Sequence, residues 1–144
     1  MKVLFDTSTL VPAVVQAHSM HERALPWLMR ARSGDIQLVV SCHGLAELYS
    51  TLTRLPVHPR ITPARASQLV FDISAMASHV VPLSPEDYTS TIQRIAEMGL
   101  SGGVIYDALI ACAAEKVGAE RLLTFNTSDF RRVWPEGASR LLSP

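Results

Sequence analysis

Apolar residues along the chain fall into short strand-like runs separated by longer stretches with helical spacing. Lys2 to Phe5 is a brief apolar run that stops at Asp6-Thr7-Ser8-Thr9, a group of capping side chains, so a strand passes directly into a helix. From Leu10 to about Arg32 the spacing is helical in two pieces. Pro12 suits a first turn, His18-Ser19-Met20 offers a fresh N-cap before HERALPWLMRAR, and Pro26 marks a kink or a later start. Ser33-Gly34-Asp35 forms a turn, Ile36 to Val40 a second apolar strand, and the chain returns to helix from Ser41 through GLAELYSTLTRL.

Three prolines between Pro56 and Pro63, with Arg54, His58, Arg60 and Arg65 around them, predict an exposed basic loop. A helix follows from about Pro63 to Ala77, then a brief strand at His79 to Pro82. Ser84 caps the next helix with Pro85 at its first position, and that helix ends near Gly99. Beyond the loop Leu100 to Val104, YDALIACAAEKVG has a helix former at nearly every position and a stop at Gly118. Arg121 to Thr124 is the next strand and Leu141-Leu142 the last. Strands alternating with helices of this length predict an α/β fold, a three-layer α/β/α sandwich around a mostly parallel sheet.

Composition narrows this picture. A chain of 144 residues with 48% apolar content suits one domain spanning positions 1–144. Its 13 basic and 13 acidic side chains cancel, so a nucleic acid or anionic membrane would have to be held by a local patch. Cys42 and Cys112 lack the spacing of a zinc or dithiol motif and are expected to be reduced, buried thiols in a cytoplasmic protein. The start MKVLFD has neither the apolar length nor the cleavage site of a signal peptide, and no later run approaches a membrane span.

In a parallel sheet, ligands bind beyond the carboxyl ends of the strands, so the informative acids follow a strand or open the next helix. Asp6 is the first residue after strand one, Glu47 lies one or two turns into the helix after strand two, and Asp107 opens the alanine-rich helix. Taken singly, each has a structural explanation: Asp6 as a helix cap, Glu47 as a solvated helix residue, Asp107 as a complement to a helix dipole. Those explanations do not predict all three at one edge of one sheet. Three carboxylates in one cleft resist ionising together unless a cation lies between them, and hard oxygen ligands favour magnesium or manganese.

FDTSTLV at the start, AEL after the second strand, and GGVIYDALIACAAEKVGAERLLTFNTSDF together resemble a PIN-domain nuclease, most closely the VapC toxins of bacterial toxin–antitoxin pairs. The resemblance spans Lys2 to Phe130, and its last block is the most specific part. It implies an endoribonuclease in which Mg2+ or Mn2+ is held by Asp6, Glu47 and Asp107. Water activated by the metal would attack in line and leave a 5′-phosphate and a 3′-hydroxyl. It also implies an RNA substrate, a cognate antitoxin whose arginine enters the cleft, and a homodimer. Many relatives carry an aspartate where this chain has Asn126, whose carbonyl ligates without charge. Asp129, one helical turn further if a turn forms there, is the other candidate for the fourth ligand. Thr7 or Ser8 supports the cluster or caps the helix.

Other signals are weaker. His18 and His21 have a spacing compatible with a metal but no third ligand, and His43 near Glu47 stays outside the catalytic set. Ser8 stands where a phosphoaspartate hydrolase needs a second aspartate, receiver domains need an acidic pair and a late lysine, and Gly102-Gly103 lacks the spacing of a phosphate loop. The rival readings are a non-cutting RNA- or protein-binding module, favoured by Asn126, and a housekeeping RNA-processing nuclease. The face around Trp27, Leu28 and Leu45 is a candidate dimer contact, and Arg54, Arg60 and Arg65 a candidate RNA contact.

Overall fold

A computed structural model describes residues 1–144. Five strands, β1 (Lys2–Phe5), β2 (Gln37–Ser41), β3 (His79–Val81), β4 (Arg121–Leu123) and β5 (Leu141–Leu142), form one sheet in the order β3-β2-β1-β4-β5. Every pairing is parallel, so the sheet is wholly rather than mostly parallel. β1 runs between β2 and β4, and chain order reverses there, which makes the carboxyl end of β1 the topological switch point.

Alternation along the strands sends neighbouring side chains to opposite faces, and both faces are covered. Val3, Phe5, Leu38 and Val40 pack beneath α1 (Thr7–Val14), α2 (His21–Arg32), α3 (Cys42–Arg54) and α4 (Pro63–Met76). Leu4, Val39 and Leu122 pack beneath α5 (Pro85–Glu97), α6 (Val104–Val117) and α7 (Thr127–Val133). Each fully buried leucine of this kind contributes about 1.5–3 kcal/mol relative to an exposed one. In α6 the buried positions are mostly alanines, Ala108, Ala111, Ala113 and Ala114, whose small side chains let the helix lie close to the sheet. Gly118 ends it at φ 65, a left-handed cap that only glycine takes without cost.

Several boundaries follow the local signals closely. Ser41 caps α3 by accepting from the Gly44 amide, and Ser84 with Asp87 forms a reciprocal capping box on α5. α2 differs. It begins at His21 and runs through the exposed Pro26, and its preceding turn is held by the Met20 amide donating to His18 Nδ1 at 3.0 Å, not by Ser19. α6 begins at Val104, earlier than its alanine-rich run, and a short α7 forms after Asn126.

The expectation of two buried thiols is corrected in part: Cys42 is exposed at the first turn of α3, whereas Cys112 is half-buried. Leu28 belongs to the core, whereas Trp27 and Leu45 are only partly buried against it, and Leu45 with Tyr49, Val70 and Phe71 lines an open apolar cleft on the outer side of α3 and α4. No helix is long and apolar enough to cross a membrane.

A carboxylate cleft at the switch point

β1 delivers Asp6 to the switch point, where its backbone amide donates to Leu123 O of β4 at 3.0 Å. Asp6 is the N-cap of α1 by position, yet its side chain makes no capping hydrogen bond. Its Oδ2 instead accepts from Ser8 Oγ at 2.7 Å and Thr124 Oγ1 at 2.8 Å. Each hydroxyl has one hydrogen, and both are spent on Asp6, so the 3.1 Å approach of Ser8 Oγ to Thr124 Oγ1 is a contact between two acceptors. The same two oxygens accept backbone amides, Ser8 from Phe125 at 3.0 Å and Thr124 from Asn126 at 2.9 Å. The carboxylate is therefore fixed by α1 and by the end of β4 together, which removes its explanation as a cap.

Glu47, in the second turn of α3, is held on both oxygens. Thr7 Oγ1 donates to Oε2 at 3.1 Å, and His43 Nε2 approaches Oε1 at 2.6 Å from one turn earlier. A carboxylate only accepts, so His43 Nε2 carries the hydrogen in this contact. Asp107, in the first turn of α6, faces the same cleft from the opposite helical layer.

Electrostatics show how near these groups are. Burial pushes the Asp107 carboxyl up to about 7, and the charges of Asp6, Asp129 and Glu47 push in the same direction. Burial also raises Asp6, which is only 4% exposed, against the lowering effect of its hydroxyl donors. The salt bridges of the chain place no lysine or arginine on any of these four acids.

Asp129, exposed in the first turn of α7, thus acts on Asp107 through its charge. Asn126 lies at the rim with its side chain exposed. With Ser8, Thr7 and Phe125 it lines a neighbouring cleft of about 380 Å³ that borders the carboxylates without containing them. As the side chains stand, no three acidic, histidine or cysteine groups close around one point tightly enough to hold an ion. The donors nonetheless suit one: they are all oxygens, the charges of Asp6, Asp129 and Glu47 add to burial in raising Asp107, and no lysine or arginine pairs with them.

Other candidates fall elsewhere. His21 Nδ1 bonds Pro12 O at 2.7 Å and His18 is used in the turn before α2, so neither faces the carboxylates. Arg54, Arg60 and Arg65 are exposed, and the loop containing His58 packs against the far end of α1, about 12 Å along that helix from Asp6. Thr124, at the end of the strand expected from Arg121, is a site residue that local sequence pattern does not mark. A hydroxyl at the carboxyl end of the strand beside β1 was the available signal, and the four-residue spacing of His43 and Glu47 was the signal for that pair.

Fold and site define an α/β domain with an uncompensated carboxylate cleft at the switch point of a parallel sheet. The PIN domain matches residues 3–134, and the chain belongs to that family. It is 35% identical over 128 residues to Ribonuclease VapC40 of Mycobacterium tuberculosis, covering 89% of this chain and 87% of that protein. Ribonuclease VapC27 of the same organism is 33% identical over 115 residues, 80% of this chain and 78% of the relative. Among solved structures, VapBC2 from Rickettsia felis bound to a promoter DNA fragment superposes with a TM-score of 0.67 at 19% identity, over 100% of this chain and 99% of that one.

Proposed function

We propose that this chain is a metal-dependent endoribonuclease, the toxin of a type II toxin–antitoxin pair. The observation that carries the reading is the convergence of Asp6, Glu47, Asp107 and Asp129 on one cleft with no lysine or arginine paired to them, at the edge where the fold binds ligands. The chain belongs to a family whose relatives at 33–35% identity are named ribonucleases.

Asp6, Glu47, Asp107 and Asp129 would hold Mg2+ or Mn2+, with the Asn126 carbonyl as a neutral donor at the rim. A bound ion of this kind supplies Lewis acidity: it eases deprotonation of water and offsets charge on a scissile phosphate. The chain's own part is positional. Ser8 and Thr124 fix Asp6, and Thr7 and His43 fix Glu47, so two carboxylates are oriented before anything binds. Asp129 takes precedence over Asn126 as fourth ligand because it already interacts with Asp107 through its charge. The same acidic cleft suits an arginine-bearing segment of an antitoxin, and the two free cysteines of the chain suit a cytoplasmic location.

Cleavage of total RNA by the purified chain decides the matter. Manganese should support cutting, and chelator, Asp6→Asn or Asp107→Asn should each abolish it. Cutting that survives chelator and both substitutions overturns the metal reading, and no cutting under any metal overturns the nuclease reading.

A further inference from the structure

At the rim of the cleft, His43 of α3 and Tyr106 of α6 stack with ring centroids 5.3 Å apart and planes 5° from parallel. These helices belong to opposite layers of the sandwich. The two rings therefore meet over the edge of the sheet, one bonded to Glu47 and the other on the residue before Asp107. Tyr106 is 51% exposed although one face of its ring is covered, which leaves its other face open to solvent. A half-exposed tyrosine held flat by a second ring has lost much of the rotamer freedom that stacking a ligand would otherwise cost.

The geometry points to a nucleobase subsite: we propose that the open face of Tyr106 receives a base of the RNA flanking the scissile phosphate. This rests on the ribonuclease reading given above. Its physical basis is the charge of the cleft. Carboxylates line the cleft and no lysine or arginine is paired with them, so beyond the phosphate that an ion would hold, the grip available beside them is an uncharged contact. Stacking of a base on an aromatic ring contributes about 1–3 kcal/mol and tolerates any base, because every base has a π face. The basic loop at Arg54, Arg60 and Arg65 does not serve this position, since it packs at the far end of α1.

The test uses short single-stranded RNA with one cleavage site, together with copies carrying a single abasic residue walked along the three nucleotides on each side. Tyr106→Leu should raise KM about 10- to 100-fold, the fold-change equivalent of the stacking energy, and leave kcat within a few-fold. Tyr106→Phe keeps the ring and should behave as the wild-type protein. At one position the abasic substrate should cost the wild-type protein what Tyr106→Leu costs, with no further loss when the two are combined.

A KM unmoved in Tyr106→Leu overturns the proposal. A loss confined to kcat and equal on every abasic substrate overturns it too, because the stack then only positions Glu47. An unmoved RNA KM with weakened antitoxin binding assigns the ring to a protein partner instead. Anisotropy of the same labelled RNA recorded with calcium, a divalent ion that takes oxygen ligands, beside cleavage recorded with manganese, separates this proposal from the nuclease reading. Binding that depends on Tyr106 without cutting fails the nuclease reading alone, cutting that ignores Tyr106 fails the subsite alone, and neither binding nor cutting fails both.

Discussion

Replacing Asp107 with asparagine should make the metal-free protein more stable at neutral pH while removing its activity. The carboxyl of Asp107 is raised from 3.8 to about 7 by burial first and by Asp6, Asp129 and Glu47 next, and no hydrogen bond offsets these causes. A group whose folded-state pKa is raised binds its proton more tightly in the native state. Native stability therefore falls as pH climbs from about 4 to about 7, and the loss is complete above that window. For a fully buried carboxyl that difference would correspond to about 4 kcal/mol. Asp107 is only partly buried in an open cleft, so solvent screening reduces the expected cost to about 1–2 kcal/mol. Asparagine has the same shape and no charge to desolvate. Urea denaturation in chelator should show Asp107→Asn more stable than wild type by that amount at pH 8, with the difference shrinking towards zero at pH 4.5. Saturating magnesium should reverse the order, because an ion that binds the native state stabilises it by mass action and the variant has lost a ligand. Equal stabilities at pH 8, or a gain of the same size at both pH values, would refute the electrostatic account of the cleft.

Two further substitutions examine how the cleft is supported. Thr124→Val removes a hydroxyl donor to Asp6 and leaves the Asn126 amide without its acceptor, so we expect a loss of about 1–3 kcal/mol and a 10- to 100-fold fall in cleavage rate. Urea melts and single-turnover cleavage read the two effects separately, and full activity in the variant would contradict the assigned role. Gly137→Ala is expected to lower the melting temperature by several degrees without touching the cleft. An added Cβ would fall 1.9 Å from the ring of Trp134, which is 1% exposed and anchored through Nε1 to Glu115 at 2.7 Å. An unchanged melting curve would mean that the segment Pro135–Arg140 shifts freely.

What could be read from the sequence was whatever is decided within one or two helical turns. Asp6 was legible because the strand, the acid and the capping residues are contiguous, and a parallel sheet makes that junction a ligand edge. The Ser84-Pro85 start of α5 and the Gly118 stop of α6 were legible for the same local reason. Trp27, Leu28 and Leu45 mark the limit. A helical stripe shows that a face must be covered but not by what, and here the core takes Leu28 while Trp27 and Leu45 stay partly exposed. Cys42 was misplaced because thiols are usually buried, whereas this one follows the Ser41 cap on the solvent side of α3. The support of Asp6 by Thr124, 118 residues away, and the meeting of His43 with Tyr106 depend on strand order and on two layers closing over one edge. No local pattern records that.

The four acids are not held alike. Asp6 accepts two hydroxyl hydrogen bonds and Glu47 is gripped on both oxygens, so rotating either one breaks interactions that the fold has already made. The causes acting on Asp107 include charge and burial but no hydrogen-bond donor, and Asp129 stands exposed on the short α7. Two carboxylates are thus fixed and two are adjustable, the fixed pair on the layer of α1 and α3 and the adjustable pair on the layer of α6 and α7. On the proposed reading, these acids would hold an ion whose charge would offset the repulsion that adds to burial in raising Asp107. Asp107, raised by burial first and by its neighbours' charges next, and without a hydrogen-bond donor of its own, is the acid whose ionisation would then depend on that ion.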